Sequence, residues 1–392
     1  MVDRSLYTYH LPEELIAKQP VIPRDFSRLL VYDTKSNKIA FDHFYHLDKY
    51  LPPKSFLVMN DTKVLPARVE MKKVPLRPKI PGLRWGQGGK VKVLFLVNEV
   101  IGDQLTVNRK KENMIRAFVD RKVYVGDKLF FDRQYFVTVI NQQQHSFTLQ
   151  FDFSVEKLFS ILEKKGVMPI PLYIKNSPLK RGQLLQKYQT IFAQKKGSAA
   201  APTASLHFTN RLFGQLDRRG FQRLFVTLHV GLGTFAPVTD ENIRHKRLHE
   251  EYFEVENGTL QLINKLKQEG DKLVAVGTTV TRTLETIKNL EFRVQNSELI
   301  KEKILNSKFN SEFSIIDSKF IGRTDLFIYP PYRFQMVNHL ITNFHLPGSS
   351  LMMLVEAFLQ HRAAKRHLVD LYKIAIKEKL RFYSFGDAMI II

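Results

Sequence analysis

Cysteine is missing from all 392 residues, which excludes disulfides, thiolate zinc sites and a cysteine nucleophile together. The same absence fits a reducing compartment, and a cytoplasmic location is expected. No apolar run reaches the roughly 18 residues of a membrane span, so no membrane partner is expected. The first ten residues lack an apolar core and a small-residue cleavage site, so a signal peptide is not expected either. Tryptophan occurs once, at Trp85. Acidic residues are in short supply: 38 Asp and Glu face 60 Lys and Arg, a net charge of +22. A surplus of that size attracts polyanions, and nucleic acid is the expected partner.

Several familiar motifs are missing as well. No G-x-x-x-x-G-K-[ST] phosphate loop occurs, and Gly231-Leu232-Gly233-Thr234 lacks the third glycine of the dinucleotide fingerprint. His249-Glu250-Glu251 lacks the second histidine of an H-E-x-x-H zinc site, so no metal is expected. No RNP-type aromatic signature marks a simple RNA-binding module.

What is present alternates. The patterning predicts strands at 26–33, 55–60, 224–230, 273–277, 326–328, 340–344 and 389–392. It predicts helices at 155–165, 260–267, 280–290, 349–364 and 368–379, with a helix opening at Leu11–Ile16. Asn60-Asp61-Thr62 reads as a turn. That alternation argues an α/β domain. From Val64 to about Phe153 the texture changes to short alternating runs, at 91–97, 104–107, 115–120, 128–130, 135–140 and 147–153. Such spacing without helices argues a small antiparallel barrel or sandwich inserted into the α/β domain. The expected organisation is therefore 1–62 plus 154–392 as the α/β catalytic unit and 63–153 as the insertion. Within the insertion, Met71–Lys90 is a basic stretch rich in Pro and Gly.

Two stretches carry the chemistry. Ser198 to Thr209 is built of small residues around Pro202 and Thr203 and ends near His207, a run that lets backbone pack closely. The strand ending at Val230 breaks on Gly231 and Gly233, and open α/β sheets bind ligands outside the carboxyl ends of their strands. His207, His229 and His345 each sit at a strand end or turn, and a histidine's ordinary pKa suits proton transfer near neutrality. Gly277-Thr278-Thr279 closes one strand and opens a helix that contains Arg282, an arrangement able to hold an anion.

Taken together, the motifs resemble one family over nearly the whole chain. They are Asn60–Arg68, Tyr188-Gln189-Thr190, Ala201–Thr209, Val226–Phe235, Val276–Thr279 with Arg282–Glu285, Thr342–Pro347 and Tyr383–Met389. The family is that of the S-adenosylmethionine:tRNA ribosyltransferase-isomerases of queuosine biosynthesis. The resemblance implies a barrel-like α/β domain with an inserted all-β barrel. It also implies transfer of the ribosyl part of S-adenosylmethionine to 7-aminomethyl-7-deazaguanine at the tRNA wobble position. Rearrangement would give epoxyqueuosine-tRNA, with adenine and methionine released. No cofactor beyond the co-substrate S-adenosylmethionine is implied, and a monomer is expected.

That reaction asks for a base near an acidic C5′ proton, a donor to the departing adenine and an acceptor for the attacking amine's proton. His207, His229 and His345 are the catalytic candidates. Thr203, Gln189, Gly231, Gly233, Thr234, Glu251, Gly277, Thr278, Thr279, Arg282 and Asp387 are expected to contact substrate, with Glu251 and Asp387 on the ribose diol and Gly277–Thr279 on the methionine carboxylate. Lys63, Arg68, Lys72, Lys73, Arg77, Lys79 and Arg84 are expected to meet tRNA phosphates. Ser205 stands where the family usually has glycine, and Glu250 where a small polar residue is commoner.

Overall fold

Short apolar strands dominate the chain, and in the computed structural model they form one large sheet and one closed barrel. The structure describes residues 3–74, 89–97, 113–143, 146–174, 176–231, 238–295, 313–316 and 318–392. The large sheet has ten strands, in the spatial order Phe313–Ile316, Lys319–Leu326, Arg247–Glu256, Arg223–Leu228, Ser55–Asn60, Lys272–Val276, His339–Asn343, Ala388–Ile391, Arg28–Asp33 and Lys38–His43. The four central strands, from Arg223–Leu228 to His339–Asn343, run parallel. Strand Ala388–Ile391 is antiparallel to its inner neighbour and parallel to Arg28–Asp33.

A central parallel strand is covered on both faces and so reads as a continuous apolar run. Every residue of Ser55–Asn60 is buried. Phe56 and Val58 join one core, while Leu57 and Met59 join the core on the opposite face. Helix Thr278–Gln295 supplies Val280, Leu284 and Ile287 to the first core at helical spacing. Helix Asn210–Arg218 supplies Leu212 and Leu216 to the second.

The second sheet closes on itself. Strands Arg68–Val74, Lys90–Phe95, Asn113–Val119, Lys128–Phe130, Phe136–Gln143 and Ser146–Phe151 form a six-stranded antiparallel barrel. Alternate side chains, such as Val69, Met71, Val91, Val93, Val137 and Val139, fill its core. Helix Val155–Lys165, capped by Ser154, packs Leu158 and Leu162 into that same core. Where the chain leaves the barrel, Gly166 is required, since a Cβ there would sit 1.7 Å from Pro66 O.

The α/β class and the inserted barrel are as the sequence indicates, and the sheet of the larger unit ends on two edge strands. Four local expectations differ. Asn60–Thr62 is no simple turn, because Thr62–Val64 pairs in parallel with Lys195–Ser198. Residues 326–328 lie at and beyond the end of strand Lys319–Leu326. Leu11–Ile16 forms only a short 3-10 turn at Glu13–Leu15. Strand Arg247–Glu256 was not foreseen, its polar start masking the alternation that follows. The run expected at 104–107 lies outside the described residues.

Candidate functional site

Parallel strands carry their carboxyl ends to one edge of the sheet, and the following residues collect there. In spatial order these are His229, Asn60 with Thr62, Gly277–Thr279, and Asn343 with His345. Strands Ala388–Ile391 and Arg28–Asp33 both run opposite to the central four, so the residues before their starts, Asp387 and Ser27, come to the same edge. Nearly all of these side chains are buried, so their polar atoms must be paired.

Asn60 ties the first part together. Its Nδ2 donates to Leu228 O at 3.0 Å and to Thr279 Oγ1 at 3.2 Å, while its Oδ1 accepts from Leu228 N and Thr62 N. Thr62 Oγ1 lies 2.7 Å from His229 Nδ1, and the imidazole stacks on Tyr252 at 5.5 Å. Burial pushes His229 down to about 4, so the ring is neutral at pH 7. With Nδ1 held, Nε2 is the nitrogen left for chemistry. The small-residue run behaves as expected: Ala199 N donates to Val230 O at 2.9 Å, and Ser198 Oγ accepts from Val230 N.

A second group forms around Asn343. Its Oδ1 accepts from Thr203 Oγ1 at 2.8 Å, and its Nδ2 lies 3.2 Å from His207 Nε2. An amide nitrogen only donates, so Nε2 accepts and the imidazole proton sits on Nδ1, 2.8 Å from Ser27 Oγ. Both nitrogens of His207 are thus engaged, and burial with the Arg381 and Arg24 charges pushes its pKa to about 3. His345 Nε2 lies 2.8 Å from Thr342 Oγ1, and burial pushes this ring to about 3 as well. His345, Thr203, Asn343, Tyr383 and Ser384 line a narrow cleft of about 30 Å³, roughly one water's share of volume. Tyr383 enters that cleft from a left-handed backbone (φ 69°), a conformation unusual for a bulky residue.

Four of the expected substrate contacts are already occupied within the protein. Gln189 exchanges both amide hydrogen bonds with the Val64 backbone. Asp387 accepts from Arg28 N, Arg381 N and Arg381 Nη2. Glu251 is ion-paired with Arg282, and its other oxygen accepts from Gly231 N at 2.8 Å. Arg282 also donates to Leu326 O. These groups shape the edge from behind: the ion pair fixes the turn at Gly231, and Asp387 locks the start of strand Ala388–Ile391. Thr278 and Thr279 open helix Thr278–Gln295, and Gly277 has φ 96° with Ala204 Cβ 3.6 Å from where its own Cβ would be. Gly233 and Thr234 lie outside the described residues.

The expected phosphate contacts are elsewhere. Lys63 is on the strand joining barrel and sheet, Arg68 begins the first barrel strand, and Lys72 and Lys73 continue along it. Lys73 Nζ donates to Lys122 O and lies 3.7 Å from Asp127. Arg77, Lys79 and Arg84 lie outside the described residues. Among the described residues, no three His, Asp or Glu side chains converge as a metal site would, and no helix is long and apolar enough to cross a membrane. Sequence reasoning missed Ser27 as the partner of His207, and no local signal marks it. Asn343 lay in plain view, inside the Thr342–Pro347 motif.

A buried polar cluster with neutral imidazoles, set at the carboxyl edge of a mixed sheet, is the architecture of an α/β enzyme. The family described as queuosine biosynthesis protein matches residues 4–391, and the chain belongs to it. An S-adenosylmethionine:tRNA ribosyltransferase-isomerase from Moorella thermoacetica is 40% identical over 98% of this chain and 98% of its own. The protein of that name from Thermosipho melanesiensis is 39% identical over 99% of each. A solved S-adenosylmethionine tRNA ribosyltransferase from Thermotoga maritima is 29% identical, covering 99% of this chain and 100% of that one, with a TM-score of 0.49.

Proposed function

We propose that this chain transfers and isomerises the ribosyl group of S-adenosylmethionine onto 7-aminomethyl-7-deazaguanine at the tRNA wobble position. Epoxyqueuosine-tRNA, adenine and methionine are the products. The family membership over residues 4–391 carries this reading. The placement of His229, His345 and the Thr278–Thr279 helix start along one edge supports it.

The sulfonium acidifies the C5′ hydrogens, and a neutral imidazole is the form that removes such a proton. His229 and His345 are the proposed proton carriers, each with one ring nitrogen fixed by a threonine hydroxyl. His207, engaged at both nitrogens, is assigned to hold Asn343 and Thr203 in place. Thr278 and Thr279 are assigned to the methionine carboxylate, where helix-start N–H groups favour an anion. Glu251 and Asp387 are assigned to positioning through the groups they bind.

No cofactor beyond S-adenosylmethionine is invoked, and the protein is taken to act as a cytoplasmic monomer. The barrel unit is taken to extend to Gly166, because helix Val155–Lys165 shares its core. Lys63, Arg68, Lys72 and Lys73 remain assigned to tRNA phosphates, favoured by the +22 net charge.

The test is to incubate the protein with S-adenosylmethionine and tRNA bearing the aminomethyl base, then separate the small products. Adenine and methionine in equal amounts, absent with unmodified tRNA, are expected. S-adenosylhomocysteine instead would reveal a methyltransferase and overturn the proposal.

A further inference from the structure

We propose that an exposed aromatic cluster, Phe26 with Tyr45 and His43, is a stacking platform for unpaired bases of the RNA substrate. The inference rests on the RNA-modifying reading above and adds a surface that the basic residues of the barrel do not supply.

The rings form a continuous group at the surface. Phe26 is 43% exposed and packs against Tyr45 with centroids 5.0 Å apart. Tyr45 stacks on His43 at 5.3 Å and 14°, and meets His46 edge-on at 4.2 Å. The Arg211 guanidinium sits 5.1 Å from the Phe26 ring and 5.4 Å from the Tyr45 ring. Beside them Phe41, 36% exposed, has the Arg28 guanidinium 5.8 Å from its centroid.

The charges around the rings suit a nucleic acid strand. Arg211 is paired with buried Asp25 at 2.9 Å, Lys49 with Asp42 and Arg219 with Asp48. Arg24 and Arg28, by contrast, donate to the backbone carbonyls of Gln186, Gln189 and Glu378, and have no carboxylate partner among the described residues. Arg28 thus brings a guanidinium charge without a carboxylate partner to the Phe41 ring, while the Arg24 guanidinium is taken up by the carbonyls of Gln186, Lys187 and Gln189. An unpaired base offers a π face to the rings while its phosphate meets the cations, whereas a duplex keeps its base faces stacked inside.

Position strengthens the case. Ser27, between Phe26 and Arg28, meets His207 Nδ1. Phe44, between His43 and Tyr45, packs on the His207 ring at 4.9 Å. Inward-facing residues hold the site and their immediate neighbours form the platform.

The experiment uses the intact enzyme and an anticodon stem-loop RNA bearing the aminomethyl base. Phe26→Ala, Tyr45→Ala and the conservative Phe26→Trp are compared for RNA KM, S-adenosylmethionine KM and direct RNA binding by fluorescence anisotropy. Losing one stacked base is expected to weaken RNA binding about 5- to 150-fold. The KM for S-adenosylmethionine should stay unchanged, and Phe26→Trp should restore RNA affinity. RNA affinity within twofold of wild type in a folded Phe26→Ala protein would overturn the platform. So would a dimer that Phe26→Ala dissolves while RNA affinity is kept, since the rings would then cover a second copy. Wild-type protein that binds the RNA but releases no adenine would fail the parent reading alone, and anisotropy would still judge the platform.

Discussion

Between Arg68 and Phe151, the buried polar side chains among the described residues are Asp127 and Ser146. Along the carboxyl edge of the large sheet they crowd together, from Asn60, Asp61 and Thr62 through Thr278, Thr279 and Asn343 to Asp387. The barrel is held by apolar side chains that need only be excluded from water. The edge is held by hydrogen bonds in a low dielectric, where a satisfied network rigidifies the structure and a broken one is costly. The barrel is thus expected to tolerate substitution better than the edge, which is where the proposed function puts the substrates.

The sharpest way to break that contrast is at the candidate base. His229→Ala should lower the rate of adenine release about 10²- to 10⁴-fold with the fold intact. Turnover at the wild-type rate would remove His229 from the mechanism.

Next in size is the buried ion pair. Glu251→Ala leaves the Arg282 guanidinium without its counter-charge, and urea unfolding should show a loss of about 3–5 kcal/mol. The barrel's exposed Lys165–Asp132 pair, cut by Lys165→Ala, should cost under about 1 kcal/mol in the same assay. Equal losses would erase the comparison.

Acid should separate the two regions further. Burial pushes His207 and His345 to about 3, and His229 and His339 to about 4, from 6.5. The unfolded chain takes up these protons near pH 6.5 and the folded one does not. Stability is therefore full above about 6.5 and falls as the pH drops toward 4. His367, raised by its hydrogen bond to Glu356, works the other way, contributing below 6.5 and losing that contribution as the pH rises. In the barrel, Asp132 is held down to about 2 by Lys165, so its contribution fades only once the pH falls below about 3.8. Between pH 7 and 5, amide protection factors, corrected for the pH dependence of intrinsic exchange, should therefore fall in the large sheet and stay level in the barrel.

The smallest effect is a gain. Among the described residues, Ser205 Oγ is buried without a hydrogen-bond partner. Removing an unpaired polar atom relieves its desolvation cost, so Ser205→Ala should raise the unfolding free energy by about 1 kcal/mol. A loss of that size would mean that the hydroxyl has a partner in solution.

The sequence disclosed what is periodic or punctuated. Ser55–Asn60 reads as a buried strand because every residue but its ends is apolar, and Val155–Lys165 as a helix because its spacing is helical. The histidines announced themselves by residue type and by their place at turns. Their status did not, because it depends on partners far along the chain: Ser27 is 180 residues from His207, and Thr62 is 167 from His229. Glu251 and Asp387 looked like substrate ligands for the same reason. Arg282 lies 31 residues beyond Glu251 and meets it only when helix and strand pack, and Arg28 N, one of the donors to Asp387, is 359 residues away, although Arg381 is only six.

Strand Ala388–Ile391 lies inside the sheet, between His339–Asn343 and Arg28–Asp33. Arg28 N and the Asp387 carboxylate, which meet there, are 359 residues apart in the chain. Contacts so remote carry a loop-closure cost, since a long loop must close before they contribute. Until then the hairpin of Arg28–Asp33 and Lys38–His43 has no neighbour on its inner side, and Ser27 has no fixed place beside His207. The strand that completes the sheet thus also completes this part of the site, so the two ends of the chain must meet before Ser27 can hold His207.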